Sequence, residues 1–139
     1  YTYAGHPVAC AVALKNIEIM QRERLVEMVN EFTGPALARM LGKFKDHPLV
    51  GEVRSIGMLG AFELVADKRT RRRFDDPGRV GTICRNHFAR EGFIMRAIGD
   101  TMVTAPPLIF TEAHFEEAEA VIGKVLDLTL GDVAGEIAA

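Results

Sequence analysis

The sequence lacks several features that would place it quickly in a functional class. It has no tryptophan and only two cysteines, Cys10 and Cys84, neither with a second cysteine or a histidine at metal-ligand spacing. A zinc site is therefore not supported, and we expect both to be buried, reduced thiols on apolar helix faces, as in a cytoplasmic protein. The longest apolar run, Val8 to Leu14, is far shorter than the roughly 20 residues that a membrane-spanning helix needs.

Charge of one sign and the common catalytic motifs are also scarce. The net charge of −2 over 139 residues argues against a chain built to bind nucleic acid or an anionic membrane. The basic run at residues 68–73 is followed at once by Asp75 and Asp76, which favours a solvated loop. No glycine-rich phosphate loop and no nucleophile elbow is present. The four histidines, at positions 6, 47, 87 and 114, include no pair at helical i,i+4 spacing.

The first half of the chain contains two helical patterns. Gly5-His6-Pro7 predicts the start of a helix, because proline tolerates the first helical position. The residues that follow, VACAVAL, are apolar on every side, so this helix should be covered all round. A second pattern extends from Leu25 to Phe44, and Gly34-Pro35 is expected to kink it or split it in two.

The second half predicts a small sheet with further helices. The segment from Val50 to Val65 has the pattern of extended structure, with bends or close backbone approach at Gly57 and Gly60. A strand from Phe93 to Ile98, a two-residue Gly99-Asp100 turn and the strand TMVTA predict a hairpin. In that register, the residues paired across the hairpin are Arg96 with Val103 and Ile98 with Thr101.

Two more helices complete the predicted fold. One opens at Asp76-Pro77, and the other is capped by Thr111. The apolar positions of the second helix that should face inward are Phe115, Ala118, Ile122, Val125, Leu126 and Thr129. Residues after Gly131 are expected to fray. The order of elements predicts an α+β fold, a small and largely antiparallel sheet with helices packed on one face.

Arg96 is the residue that this fold does not explain. It is a permanently charged group in an otherwise apolar strand, and a buried charge without a partner is costly. The anion that meets it belongs either to the protein, as Glu63 or Asp100, or to a ligand. Arg54 and Arg85 are weaker candidates for an anion site, because their surroundings have the pattern of exposed segments. Residues and spacing alone lead to an α+β domain with a candidate anion site, and catalysis does not follow from them.

Three segments go further, because they resemble those of a known family. YTYAGHPVACAVAL, VRSIGMLGAFELVADK and GFIMRAIGDTMVTAPPLIFTEAHFEEA are similar to segments of the class III aminotransferases, pyridoxal-phosphate enzymes of fold type I. The resemblance implies the small C-terminal domain of such an enzyme, preceded by a connecting helix. It assigns residues 1–22 to the end of the cofactor-binding domain and the connecting helix, residues 23–131 to the small domain, and residues 132–139 to a tail.

The resemblance also implies roles for a few residues. Thr2, with the main chain of Tyr1, would hydrogen-bond the phosphate of the cofactor in the other subunit of a homodimer that forms through the Gly5–Leu14 region. Arg96 would receive the carboxylate of substrates such as pyruvate, alanine or β-alanine, since a planar guanidinium suits a carboxylate. The whole enzyme would exchange an amino group between an amine or ω-amino acid and a 2-oxo acid.

The catalytic lysine that this family requires is not recognisable here. The lysines, at positions 15, 43, 45, 68 and 124, all occupy polar helix or loop positions. The Schiff-base lysine and the acidic residue at the pyridinium nitrogen are expected upstream, so this chain holds no catalytic residue and should neither bind the cofactor nor react alone. Two alternatives remain: a related decarboxylase or aminomutase, or a stand-alone interaction or anion-binding domain.

Overall fold

The computed structural model describes residues 4–137, and in that part of the chain five α-helices accompany one four-stranded sheet. The helices are α1 (Pro7–Arg22), α2 (Leu25–Met28), α3 (Gly34–Gly42), α4 (Arg79–Arg90) and α5 (Glu112–Asp132). The strands are β1 (Val50–Ile56), β2 (Leu59–Leu64), β3 (Arg96–Ile98) and β4 (Thr101–Thr104). A π-helical turn (Val29–Thr33) and two 3₁₀ turns (Lys43–Asp46 and Ala134–Glu136) complete the regular structure. The predicted α+β class is confirmed.

Helix α1 begins as predicted, with Pro7 in its first turn, but it is not covered. None of its residues is buried, and the exposed fractions of Val8 and Val12 are 65% and 64%. Cys10 lies on this helix and is exposed too. The prediction of a buried thiol is therefore wrong for Cys10, because nothing within residues 4–137 packs on the helix face that carries it.

The sequence predicted a kink or a split at Gly34-Pro35, and the structure has a helical segment that continues through it. Helix α2 passes through the π-helical turn into α3, and the Gly34 N–H donates to the Val29 carbonyl. Pro35 has no N–H to donate, and the wider turn just before it accommodates that loss. A Cβ on Gly34 would lie 3.2 Å from the Cα of Gly57, so this turn sits directly against the turn between β1 and β2.

The sheet is antiparallel throughout, with the strand order β1-β2-β4-β3. Strands β1 and β2 form a hairpin whose turn contains Gly57 at φ 52°. A Cβ on Gly60 would lie 2.3 Å from Leu41 Cδ1, so this glycine lets α3 approach the sheet closely. Both glycine roles expected from the sequence, a bend and a close approach, are confirmed.

The core lies between one face of the sheet and helices α3, α4 and α5. Its fully buried large side chains include Phe62, Leu64 and Met102 from the sheet and Leu37, Leu41, Phe88, Ile122 and Leu126 from the helices. All six positions of α5 predicted to face inward are buried. Burying one such large apolar side chain stabilises a fold by about 1.5–3 kcal/mol, so this layer holds the sheet against the helices.

The end of the described chain is packed against the core. Val133 is 1% exposed and Ile137 packs on the core cluster. The Glu136 carboxylate pairs with the Arg79 guanidinium of α4, and this hydrogen bond raises the pKa of Arg79. The prediction of a fraying tail is therefore wrong for residues 133–137, because two apolar side chains and an ion pair hold them. Among residues 4–137, no helix has the length and apolar content required to cross a membrane.

Candidate functional site

The β3–β4 hairpin presents Arg96 at the open face of the sheet. Arg96 pairs with Val103 and Ile98 with Thr101, so the register predicted for a two-residue turn is confirmed. Strand β3 begins at Arg96, which makes it three residues shorter than the predicted strand. Met102, on the opposite face of the hairpin, is fully buried under the helices. The alternation along the strand therefore directs Arg96 away from the core.

Arg96 is exposed, so the buried charge inferred from the sequence is not present in this chain. The register of the sheet places Arg54, Ala61, Val103 and Arg96 in one row across its four strands. No helix of the described chain covers this row. The sequence ranked Arg54 below Arg96 because Arg54 was expected to be exposed. Exposure does not distinguish the two arginines, because both lie on the same open face of the sheet.

The two carboxylates that could have neutralised Arg96 are engaged elsewhere. Glu63 lies 3.4 Å from an Arg73 nitrogen and 3.9 Å from an Arg54 nitrogen. Asp100 accepts hydrogen bonds from two backbone N–H groups of the loop and helix that follow residue 77. The alternative of an internal salt bridge from Arg96 to either carboxylate is wrong. Within residues 4–137, the Arg96 guanidinium has no acidic partner.

Arg54 differs from Arg96 in that the protein already pairs it. Its guanidinium lies 3.1 Å from the Glu52 carboxylate, which also lies 3.4 Å from Arg71. An arginine held by neighbouring carboxylates is less available to a carboxylate ligand than an unpaired one. Arg96 is therefore the better candidate of the two for binding an external anion.

Asp100 connects the hairpin turn to helix α4, a contact that the sequence did not indicate. Its Oδ2 accepts the Gly78 N–H at 2.9 Å and its Oδ1 accepts the Gly81 N–H at 2.8 Å. Helix α4 has no capping bond from a side chain of its own N-terminus. The Gly99-Asp100 turn is recognisable in the sequence, but no local pattern indicates that it meets the start of α4, where Gly78 and Gly81 lie.

Tyr1 and Thr2, which the resemblance assigns to the cofactor phosphate, lie outside the described residues, and their roles stay predictions.

The lysines of the described chain do not fit a covalent cofactor site. Three of them form surface ion pairs, Lys15 with Glu18, Lys43 with Glu119 and Lys124 with Glu91. Lys68 donates to backbone carbonyls, and Lys45 is exposed.

Two of the histidines have structural partners. His87 Nε2 lies 2.7 Å from the Asp132 carboxylate, and the His114 Nδ1 accepts the Thr111 N–H at the start of α5. Burial raises the pKa of the Cys84 thiol to about 11, which keeps it protonated and unreactive near neutral pH. Across residues 4–137, no three His, Cys, Asp or Glu side chains are grouped as a metal site would require.

Comparison with known proteins relates this chain to one enzyme family. The family described as aminotransferase class-III matches residues 1–126. That match includes the candidate site on the β3–β4 hairpin, all four strands and most of α5.

Two curated relatives show how far the similarity extends. A putrescine–pyruvate aminotransferase from Pseudomonas aeruginosa strain PAO1 is 49% identical over 133 residues, which are 96% of this chain and 29% of that protein. A mitochondrial gamma aminobutyrate transaminase 1 from Solanum lycopersicum is 36% identical over 126 residues, which are 91% of this chain and 24% of that protein. The chain thus spans less than a third of the length of these relatives.

A solved structure resembles the whole described fold. The crystal structure of an omega transaminase from Pseudomonas jessenii, in complex with PMP, superimposes with a TM-score of 0.90 at 38% sequence identity. The matched part is 96% of this chain and 29% of that one.

Proposed function

This chain belongs to the class III aminotransferases, and from that premise we propose that it is the C-terminal part of a transaminase that exchanges an amino group between an amine or ω-amino acid and pyruvate or a similar 2-oxo acid. Its fold is that of the small C-terminal domain of a fold type I enzyme. Enzymes of this family use pyridoxal 5′-phosphate, which supplies an electron sink when bound. The 49% identity to a putrescine–pyruvate aminotransferase supports an amine donor and pyruvate as acceptor.

In this proposal the described residues bind and orient substrate, and the rest of the enzyme supplies the catalytic lysine. The lysines of the described chain form surface ion pairs, donate to backbone carbonyls or are exposed, which supports a catalytic lysine outside this chain. The chain alone should therefore be inactive. Transamination of pyruvate by the purified 139-residue chain with added cofactor would contradict this.

Arg96 is the residue that we assign to the substrate carboxylate. The observation that carries this assignment is an exposed guanidinium without an acidic partner within residues 4–137, while Glu63 and Asp100 nearby are both engaged. A guanidinium can donate two parallel hydrogen bonds to a carboxylate, which fixes its orientation as well as its position. Arg96 would thereby orient the 2-oxo acid for reaction.

The experiment that tests this role compares two arginines on one face of the sheet. In the complete enzyme, Arg96→Ala should raise the KM for pyruvate by about 100-fold, because it removes a bidentate charge-assisted contact. The KM for an amine donor that has no carboxylate should change by less than about two-fold. Steady-state kinetics with pyruvate and such an amine measure both.

Arg54→Ala is the matched control, since it removes the same charge from the same row of the sheet. Its guanidinium is already held by Glu52, so pyruvate kinetics should stay close to those of the unchanged enzyme. Equal losses for pyruvate and for the amine in Arg96→Ala, or equal losses in the two variants, would contradict the assignment.

The remaining assignments also extend to the whole protein. We propose that the small domain begins after residue 22, which is supported by the left-handed conformation of Arg24 at φ 51° between α1 and α2. The roles of Thr2 and Tyr1 at the cofactor phosphate, a homodimer through the Gly5–Leu14 region and a cytoplasmic location belong to the same proposal. The exposed apolar residues of α1 support an interface there.

A further inference from the structure

The turn of the β3–β4 hairpin is hydrogen-bonded to the start of helix α4 through the carboxylate of Asp100. The two oxygens of Asp100 accept the N–H groups of Gly78 and Gly81, at 2.9 and 2.8 Å. Gly78 is the N-cap residue of α4, and Gly81 lies in its first turn. Asp100 therefore performs the task of an N-cap side chain although it comes from a different element. A carboxylate is well suited to this place, because the helix N-terminus carries partial positive charge.

Two further contacts fix the same turn. The Leu64 N–H donates to the Asp100 carbonyl at 2.9 Å, which ties the turn to strand β2. The Gly99 carbonyl approaches α4 so closely that a Cβ on Gly81 would lie 2.1 Å from its oxygen. The turn thus lies between the sheet and the start of α4, and the Asp100 carboxylate is the only charged group in these contacts.

Strand β3 is the shortest of the four strands and is continuous with this turn at one end. It has three residues, lies at the edge of the sheet and is paired only with β4. Arg96 is its first residue, and the neighbouring Met95 is 3% exposed and packs into the core. The strand that carries Arg96 is therefore held at one end by Met95 and at the other by the Gly99-Asp100 turn.

We propose that Asp100 is a positioning residue for Arg96, so that its carboxylate, by fastening the hairpin turn to helix α4, determines where the guanidinium meets the substrate carboxylate. This inference rests on the proposed function of Arg96. The Asp100 carboxylate hydrogen-bonds the Gly78 and Gly81 N–H groups and forms no ion pair with Arg96, so it would act through the position of the turn. Small displacements of an orienting group are costly in catalysis, so loosening the turn should weaken the use of carboxylate substrates selectively.

The test is Asp100→Ala in the complete enzyme. We expect the KM for pyruvate to rise about ten-fold while kcat changes by less than about two-fold. The KM for an aldehyde acceptor that has no carboxylate should remain within about two-fold of its original value, because that acceptor makes no contact with the guanidinium. An unchanged KM for pyruvate, or an equal rise for the aldehyde, would overturn the inference.

A double variant separates action through Arg96 from an independent effect. If Asp100 acts by positioning Arg96, adding Asp100→Ala to Arg96→Ala should raise the KM for pyruvate no further. A second, fully additive ten-fold rise would overturn the inference. If Arg96→Ala alone leaves the KM for pyruvate unchanged, the proposed function of Arg96 fails as well. If Arg96→Ala raises it and Asp100→Ala does not, only the positioning role fails.

Loss of a helix cap also lowers stability, and Thr111→Ala controls for that. Thr111 is the N-cap residue of α5, and this helix is a different element from the β3–β4 hairpin. This variant should lower the melting temperature without changing the KM for pyruvate, and an equal rise in KM would overturn the inference. Asp100→Asn keeps one accepting oxygen, so it should fold even if the alanine variant does not, with a rise in KM of about three-fold.

Discussion

Gly81 is a residue whose side chain must be absent for the hairpin to reach α4. A Cβ at this position would lie 2.1 Å from the Gly99 carbonyl oxygen and 3.0 Å from the Asp100 Cα, and both of these are backbone atoms that cannot rotate away. Gly81→Ala should therefore displace the turn and lower the free energy of unfolding by about 2 kcal/mol. Thermal unfolding of the protein, followed by circular dichroism, measures this loss.

The control is a glycine in the interior of α5 that has room for a methyl group. A Cβ on Gly123 would lie 3.6 Å from the nearest heavy atom outside its own helix, on Phe44. Gly123→Ala should raise the free energy of unfolding by up to about 1 kcal/mol, because alanine has the higher helix propensity. If both alanines have the same effect, the close approach at Gly81 does not constrain the fold.

Arg96 shows what could be predicted at the scale of one residue. Its charge among apolar neighbours identified it as a candidate anion site, and its pairing with Val103 followed from the turn length. Its burial was predicted wrongly, because FIMRAI does not alternate polar and apolar residues and so does not indicate which face is open. The engagement of Asp100 was also unpredictable, since its partners are backbone N–H groups of a distant segment.

At the scale of elements, His47 joins the loop before β1 to helix α5. Its Nδ1 accepts the Leu49 N–H at 3.2 Å, and its Nε2 lies 3.4 Å from the Asp127 carboxylate. Burial lowers the pKa of His47 from its ordinary value of 6.5, although the Asp127 carboxylate acts in the opposite direction. As the pH falls below 6.5, the unfolded chain therefore binds a proton more readily than the folded one.

The contribution of neutral His47 to stability should thus be complete above the pKa that His47 has in the unfolded chain. It should be lost as the pH falls from that pKa toward the lower pKa of the folded chain. His47→Asn should weaken this pH dependence, because an asparagine oxygen can still accept the Leu49 N–H but does not titrate. Melting temperatures at about pH 7.5 and about pH 5.5 measure the difference. His6→Asn is the control, since His6 is exposed and forms no capping bond. Equal pH dependence in all three proteins would contradict this role of His47.

Among the elements, hairpins were more predictable than helix continuity. A two-residue turn determines the register of the strands beside it, so the pairing of β3 with β4 followed from the sequence alone. The passage of the helix through Pro35 did not follow, because a π-helical turn and a break are both compatible with Gly34-Pro35. The packing of Val133 and Ile137 depends on the position of α4 and the sheet, which local patterns do not specify.

At the scale of the molecule, the fold was predictable and the extent of burial was not. Helical and strand periodicity indicated an α+β domain, and the three matched segments indicated its family. Helix α1 was expected to be covered, but none of its residues is buried by the described part of the chain, residues 4–137. The chain spans less than a third of the length of its relatives, and in the proposed complete enzyme the rest of the subunit and a second subunit would cover this helix.

The positions of the apolar residues on α1 suggest that it has two separate interfaces. Val8 and Val12 lie one turn apart on one side, whereas Cys10, Leu14 and Ile17 lie on the other, about 200° around the helix from Val8. Apolar residues on opposite sides allow the helix to be covered from both sides. This arrangement supports a helix that lies between the rest of its own subunit and a second subunit.

Charged substitutions on this helix test the interface in the complete enzyme. Val8→Glu combined with Val12→Glu should shift the proposed dimer toward monomer, because two carboxylates cannot be buried unpaired in an apolar contact. Light scattering after size exclusion, over a series of protein concentrations, measures the shift. Ile109→Glu is the matched control, since Ile109 is 62% exposed, similar to Val8 and Val12, but lies in the loop before α5. A dimer that persists unchanged in the Val8 and Val12 variant would show that this side of α1 does not form the contact between subunits.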